Sequence, residues 1–102
     1  MARVTVIVVN WNGGEFVIRC LRALEQQTCA DFRAVVVDNA SSDGSAERIE
    51  REFPGVKLLR AGGNLGFAAG NNLGFRHAEG SEWVALLNPD AFVEPDWLEK
   101  LV

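Results

Sequence analysis

The sequence predicts an α/β fold: a parallel sheet of about four strands in the order 3-2-1-4, with helices on both faces. Three observations lead there. Four short runs, residues 4–9, 32–37, 56–60 and 83–87, are apolar or alternating and too short for typical helices. Segments with apolar residues at helical spacing stand between them, the alternation that builds a parallel sheet with right-handed crossovers. Each run then gives way to Asn, Asp or Gly, so parallel strands would bring these polar ends to one edge, where ligands bind in such sheets.

Taken in order, residues 4–9 are β-branched and uncharged, which suits a central strand covered on both faces. Asn10-Trp11-Asn12-Gly13-Gly14 follows as a loop, and Val17, Cys20, Leu21 and Leu24 mark the first helix, running to Gln26-Gln27. Residues 32–37 form the second strand and end in Asp38-Asn39-Ala40-Ser41-Ser42-Asp43-Gly44, a loop composition. Ala46, Ile49 and Phe53 line one face of the second helix, which starts near Ser45 behind an N-cap at Ser42 or Asp43 and stops at Pro54-Gly55. Residues 56–60 alternate like an edge strand. The segment from Phe67 to Ala78 is a helix despite Gly70 and Gly74, each costing about 1 kcal/mol against Ala. Their spacing of four puts both on one face, where a strand or ligand can approach closely. Residues 83–87 form the fourth strand and run into Asn88-Pro89-Asp90. A last helix is expected from Glu94 with Pro95 at its first position, its apolar stripe being Trp97, Leu98, Leu101 and Val102. That stripe meets the last residue without a C-cap, so the chain reads as truncated there. With the first strand central, strand order reverses between the first and fourth strands, and Asn10 and Asp90 flank the crevice.

Composition narrows the function. A chain of 102 residues, 48% hydrophobic and 24% charged, supports one core and one domain. A net charge of −4 with scattered Lys and Arg excludes a nucleic-acid binder. No apolar run approaches the ~20 residues of a membrane span, and Met1-Ala2-Arg3 does not open a signal peptide. The chain reads as cytoplasmic. Cys20 and Cys29 lack redox or zinc spacing and are read as reduced thiols, Cys20 as a small buried hydrophobe.

The polar loops each have a plain reading beside a functional one. Asp38 could accept hydrogen bonds from a base or ribose, or close an Asx-turn. Asp90 could hold a cation or make local turn chemistry. Trp11 could stack on a base or pack under its loop. The glycine-rich loop 62–66 taken alone is a turn. His77, without a second ligand nearby, receives no role, and no base follows Ser41 or Ser42, which disfavours a serine hydrolase. Neither a dinucleotide fingerprint nor a P-loop occurs, and the first loop lacks the basic residue a nucleotidyltransferase would need.

Taken together, Val8-Val9-Asn10-Trp11-Asn12-Gly13, Val37-Asp38-Asn39-Ala40-Ser41-Ser42-Asp43-Gly44-Ser45, Asn64-Leu65-Gly66-Phe67-Ala68-Ala69-Gly70-Asn71-Asn72-Leu73-Gly74 and Leu86-Leu87-Asn88-Pro89-Asp90-Ala91 resemble the nucleotide-sugar half of the family 2 glycosyltransferases, in order and spacing along essentially the whole chain. The Asn-Pro-Asp variant and the Asn64 to Asn72 run are most similar to bacterial rhamnosyltransferases and related enzymes of cell-surface polysaccharide synthesis. The resemblance implies a Rossmann-like GT-A fold, a nucleoside-diphosphate sugar donor and a saccharide or lipid-linked saccharide acceptor. It implies donor contacts at Asn10, Asp38, Asn64, Gly66 and Asn71, and a Mg²⁺ or Mn²⁺ ion at Asp90, bridging the diphosphate. Asn88 stands where many members carry a second acid, which leaves the cation to Asp90. The family generally inverts the anomeric centre with a carboxylate base, which it places beyond the equivalent of Val102. Residues 1–102 are thus expected to be the donor-binding half of an enzyme working at the cytoplasmic face of the membrane. The rival expectation is a non-catalytic nucleotide-binding or interaction module with the same fold.

Overall fold

The computed structural model describes residues 3–101. In chain order the elements are β1 (Val4–Asn10), α1 (Gly14–Glu25), β2 (Phe32–Asp38), α2 (Ser45–Glu52), β3 (Lys57–Arg60), α3 (Gly66–Arg76), β4 (Trp83–Leu87) and α4 (Trp97–Leu101). The strands form one parallel sheet ordered β3-β2-β1-β4, as the pattern predicts.

Every residue of β1 is buried because strands flank it on both sides and helices cover both faces. Its side chains alternate between two cores. Val4, Val6 and Val8 join Ala34 and Val36 of β2, the apolar face of α1, Ile49 and Phe53. Val9, Val35 and Val37 form the second core with Leu59 and Leu73. One face of the sheet therefore carries α1 and α2, and the other carries α3.

The glycines of α3 explain how it sits on β1. A Cβ at Gly74 would stand 2.6 Å from Ile7 Cγ2, and one at Gly70 2.9 Å from Val9 Cγ1. The helix formers missing from this segment are replaced by close contact with the central strand. Because α3 lies over β1 and β2, it leaves β4 thinly covered on that face, and Leu86 remains about half exposed.

Several boundaries differ from the sequence expectation by a few residues, α3 among them at Gly66–Arg76, and three of the differences have a visible cause. β3 begins at Lys57 rather than Val56, whose N–H closes a turn on the Phe53 carbonyl. The N-cap of α2 is Gly44 with φ 84°, and Asp43 acts one residue outside it, its Oδ1 accepting from the Ser45 N–H. The last helix starts at Trp97, not Glu94. The Glu94 and Pro95 carbonyls are taken by Gln27 Nε2 at 2.8 Å and the Thr28 N–H at 2.7 Å, which draws the first expected turn out of the helix. Of its predicted stripe Leu98 is buried, Trp97 is partly buried and Leu101 is exposed; Val102 lies outside the described residues.

Gly74→Ala should lower stability in urea unfolding by a net of about 1–2 kcal/mol, overpacking against Ile7 outweighing the helix-propensity gain. Gly63→Ala is the control, since nothing lies within 4 Å of its Cβ position; there stability should hold or rise by under about 1 kcal/mol.

Candidate functional site

Parallel register sets Asn10 beside Asp38 and Asp38 beside Arg60 along the carboxyl edge of the sheet. Asn10 is fully buried, and its amide ties two loops together. Nδ2 donates to Asp38 Oδ1 at 2.9 Å, Ser45 Oγ at 2.9 Å and Ser41 Oγ at 3.2 Å, while Oδ1 accepts from the Gly13 N–H at 3.1 Å. Asp38 is 3% exposed and accepts from a residue three further on, from the Ser41 N–H at 3.1 Å and from Ser41 Oγ at 2.6 Å. Further out, the Ser42 N–H donates to Asn12 Oδ1 at 2.7 Å and the Asn12 N–H to Ser41 Oγ at 2.9 Å. The β1–α1 and β2–α2 loops are thereby one unit.

Asp43 fastens the same loops at their helix ends. Its carboxylate accepts from the Gly14 N–H at 3.0 Å and the Ser45 N–H at 2.9 Å, so it meets the first residues of both α1 and α2. Partial desolvation pulls the Asp43 carboxyl up, but the hydrogen bonds from Ser45 and Gly14 outweigh it and hold the group below its ordinary value.

The alternation that separates the two cores also separates the polar ends. Asn10 and Asp38 share the α1/α2 face with Val8 and Val36. Asn39, one residue later, falls on the α3 face with Val9 and Val37. On that face a cleft of about 350 Å³ opens between the ends of β1 and β4, walled by Trp11, Asn39, Asn64, Gly66, Asn88 and Pro89. Trp11 stands 58% exposed on its rim rather than packed beneath its loop. Asn64 Oδ1 accepts from the Gly66 N–H at 3.0 Å, holding the turn into α3.

Asn39 is 2% exposed, and its N–H extends the ladder to the Asn10 carbonyl at 2.8 Å. Its Nδ2 donates to the Gly66 carbonyl at 3.1 Å. A carbonyl only accepts, so this bond dictates which way the amide faces. Asn39 Oδ1 is left as the buried side-chain oxygen without a hydrogen-bond partner among the described residues. A desolvated acceptor of this kind costs about 1–3 kcal/mol, and Asn39 carries it in the wall of the cleft, with its oxygen shut off from the surface. A groove of similar size at the opposite edge, under Phe32 and Phe53, has mainly apolar walls and no such atom.

The sequence-predicted residues are thus distributed unevenly. Asn10 and Asp38 are brought together but turned toward each other and their serines. Asn64 and Gly66 wall the cleft. Asn71 is buried within α3, outside the cleft walls. Asp90 is exposed just past Pro89. Its charge, second to burial, helps push the Cys20 thiol up to about 11, so Cys20 is an inert packing group. Asn39 was missed although its signal was available: extending the two-residue alternation of β2 past Asp38 puts Asn39 on the face of α3 and its glycines.

Asn10→Ala would strip a partner from buried Asp38 and from the Gly13 N–H, a loss of about 3 kcal/mol measurable by urea unfolding. In acid the sign follows from Asp43. A depressed folded-state pKa contributes stability above the unfolded value near 3.9, and the contribution is lost as pH falls through the lower folded value. Tm measured from about pH 5 down to about pH 2 should therefore fall, and Asp43→Asn should flatten part of that fall.

Comparison with known proteins agrees with this geometry. An L-rhamnosyltransferase acting on N-acetylglucosaminyl-diphospho-decaprenol, from Mycobacterium tuberculosis, is 29% identical over 95% of this chain and 35% of its own length. A glycosyltransferase of Haemophilus influenzae is 31% identical over 96% of the chain and 33% of its own length. The chain thus spans about a third of these relatives. Among solved structures, residues 1–349 of Staphylococcus aureus TarS superpose with a TM-score of 0.87 at 24% identity, over 99% of this chain and 31% of that fragment. A mannosyltransferase from Pyrobaculum calidifontis, solved with GDP-Man and Mn²⁺, gives 0.80 at 32% identity over 88% of this chain and 28% of its own. The family model of glycosyl transferase family 2 matches residues 5–102, and the chain belongs to that family.

Proposed function

We propose that the chain binds the nucleoside-diphosphate sugar donor for glycosyl transfer to a saccharide or lipid-linked saccharide acceptor in bacterial cell-surface polysaccharide synthesis. The cleft at the switch point, walled by Trp11, Asn39, Asn64 and Gly66, carries this reading, because a ligand in such sheets binds outside the carboxyl ends of the strands where their order reverses. Trp11 offers an aromatic face on the rim for the base. Asn64 and Gly66 shape the wall on the α3 side. Asn10, Asp38 and buried Asn71 keep their place in the donor site as the groups that hold its walls in position.

Asp90 is assigned to the diphosphate end. Among the described residues no three His, Cys, Asp or Glu groups cluster as a metal cage. A lone exposed carboxylate beside Asn88 fits a Mg²⁺ or Mn²⁺ ion that arrives with the donor, since such ions take one or two carboxylates and complete their shell with phosphate oxygens and water. When bound, the ion would neutralise charge on the departing diphosphate. Asp90 would orient that end of the donor while the cleft holds the nucleoside. Transfer with inversion, by direct displacement, further requires a carboxylate to deprotonate the acceptor hydroxyl. Glu94 and Asp96 are not assigned to it, because the backbone around them is tied to α1 and Asp96 pairs with Lys100 at 3.1 Å. Among the described residues no helix is long and apolar enough to cross a membrane.

Titration with UDP or GDP should quench Trp11 fluorescence and shift the Asn39 side-chain NMR signals; no response at millimolar nucleotide would overturn the reading. Asn39→Leu should weaken nucleotide binding about tenfold, since it removes the bond to the Gly66 carbonyl that holds the cleft wall. Asp90→Ala should spare binding of nucleotide alone and remove the gain from Mn²⁺. Binding that ignores both Mn²⁺ and Asp90→Ala would instead identify a non-catalytic nucleotide module.

A further inference from the structure

The segment carrying Asp90 leaves the sheet after Leu87 and returns to the protein through a narrow set of ties. Asn88 lies over α1, its carbonyl 3.6 Å from Cys20 Sγ. The Ala91 N–H closes a turn on the same carbonyl at 3.0 Å. Ala91 and Val93 then pack against the core that α1 covers, and beyond them the segment is fastened at Gln27, 9% exposed, just past the end of α1. Its Nε2 donates to the Glu94 carbonyl at 2.8 Å, and its Oε1 accepts from the Leu98 N–H at 2.9 Å. Thr28 adds its N–H to the Pro95 carbonyl at 2.7 Å. Residues 88–94 are therefore an arch with one foot on α1 at Cys20 and the other just past its end at Gln27, and Asp90 stands within it.

The two Gln27 bonds are specific to an amide. One end must donate and the other accept, and both partners are backbone groups, so no apolar side chain and no carboxylate reproduces the pair. Glutamate would keep the bond to Leu98 but set a carboxylate against the Glu94 and Ala23 carbonyls, to which Nε2 now donates.

We propose that Gln27 is a positioning residue for Asp90: by pinning the far foot of the arch it holds the carboxylate where the diphosphate and its cation meet the protein. The inference rests on the cation role assigned to Asp90 above. Gln27 itself touches neither the cleft walls nor Asp90. Its effect should therefore appear in cation affinity and not in the grip on the nucleoside. Groups that only orient a ligating side chain typically change metal affinity by about 10- to 100-fold.

The test compares the 102-residue chain with Gln27→Met and Gln27→Glu, using UDP as the nucleotide and Mn²⁺ as the ion. UDP affinity without metal is read by Trp11 fluorescence, Mn²⁺ affinity at saturating UDP by electron paramagnetic resonance, and exchange of the Leu98 amide by NMR. Both variants should bind UDP alone within about twofold of the parent and bind Mn²⁺ about tenfold more weakly. Leu98 exchange should be faster in Gln27→Met than in Gln27→Glu. Unchanged Mn²⁺ affinity, or equal losses of UDP and Mn²⁺ binding, would overturn the proposal. Should Gln27→Met not fold, Gln27→Glu decides on the same criteria. Asp90→Ala separates the two layers: if it leaves Mn²⁺ affinity intact, the cation role and the positioning role both fall. If it abolishes the Mn²⁺ site while the Gln27 variants retain it, only the positioning role does.

Discussion

The buried amide of Asn10 is the contact on which the rest of the edge depends. It sits at the carboxyl end of the central strand, where backbone pairing stops and two loops leave the sheet side by side. With no water at this depth, the end of β1 has to satisfy polar groups from its own loop and from the neighbouring one. Asn10 does so with one side chain, taking the Gly13 N–H on its oxygen and giving its hydrogens to Asp38 and the serines. Asp38 completes the cluster instead of facing outward. Hydrogen bonds to a carboxylate are among the stronger ones, and removing either partner would leave a charge or an amide stranded in the core.

This lacing accounts for backbone conformations that would otherwise be costly. Asn12 lies at φ 50° and Ala40 at φ 59°. The left-handed region costs an alanine about 1–2 kcal/mol, and Ala40 remains there because bonds on both sides over-determine it. Before it, the Asn39 N–H holds the Asn10 carbonyl; after it, the Ser41 N–H holds Asp38 Oδ2. The reversal at Ala40 lets the residues on either side of it serve opposite faces of the sheet, Asn39 toward the cleft wall and Ser41 back into the cluster. Strain is concentrated beside the site and sustained by the scaffold, as expected of functional loops.

The second constraint is the approach of α3 to β1. Gly70 and Gly74 let the helix backbone settle against Val9 and Ile7, which brings the Gly66 carbonyl within reach of Asn39 Nδ2. The cleft wall and the unpaired oxygen both follow from that contact. The helix stability given up at the glycines is thus spent on the geometry of the site. The same placement leaves Leu86 of β4 exposed, in a chain spanning about a third of the relatives it resembles.

Element type, sheet order and the edge carrying the site were legible in the sequence, because burial on two faces demands β-branched runs and a parallel sheet demands the intervening helices. The glycine spacing in α3 likewise announced a close approach. The motifs at Asn10, Asp38, Asn64 and Asp90 identified the family through their order along the chain, which needs no coordinates. What only the tertiary structure decided was the direction in which each polar end faces. Asp38 faces Asn10 and Ser41, while Asn39 lies along the wall of the cleft. The start of α4 was displaced for a related reason, since Gln27 and Thr28, some 70 residues earlier in the chain, captured the carbonyls of its expected first turn. Local pattern determines where a polar residue lies along a strand or helix, but its partner is set by whichever group the fold brings within about 3 Å. Here those partners come from distant parts of the chain.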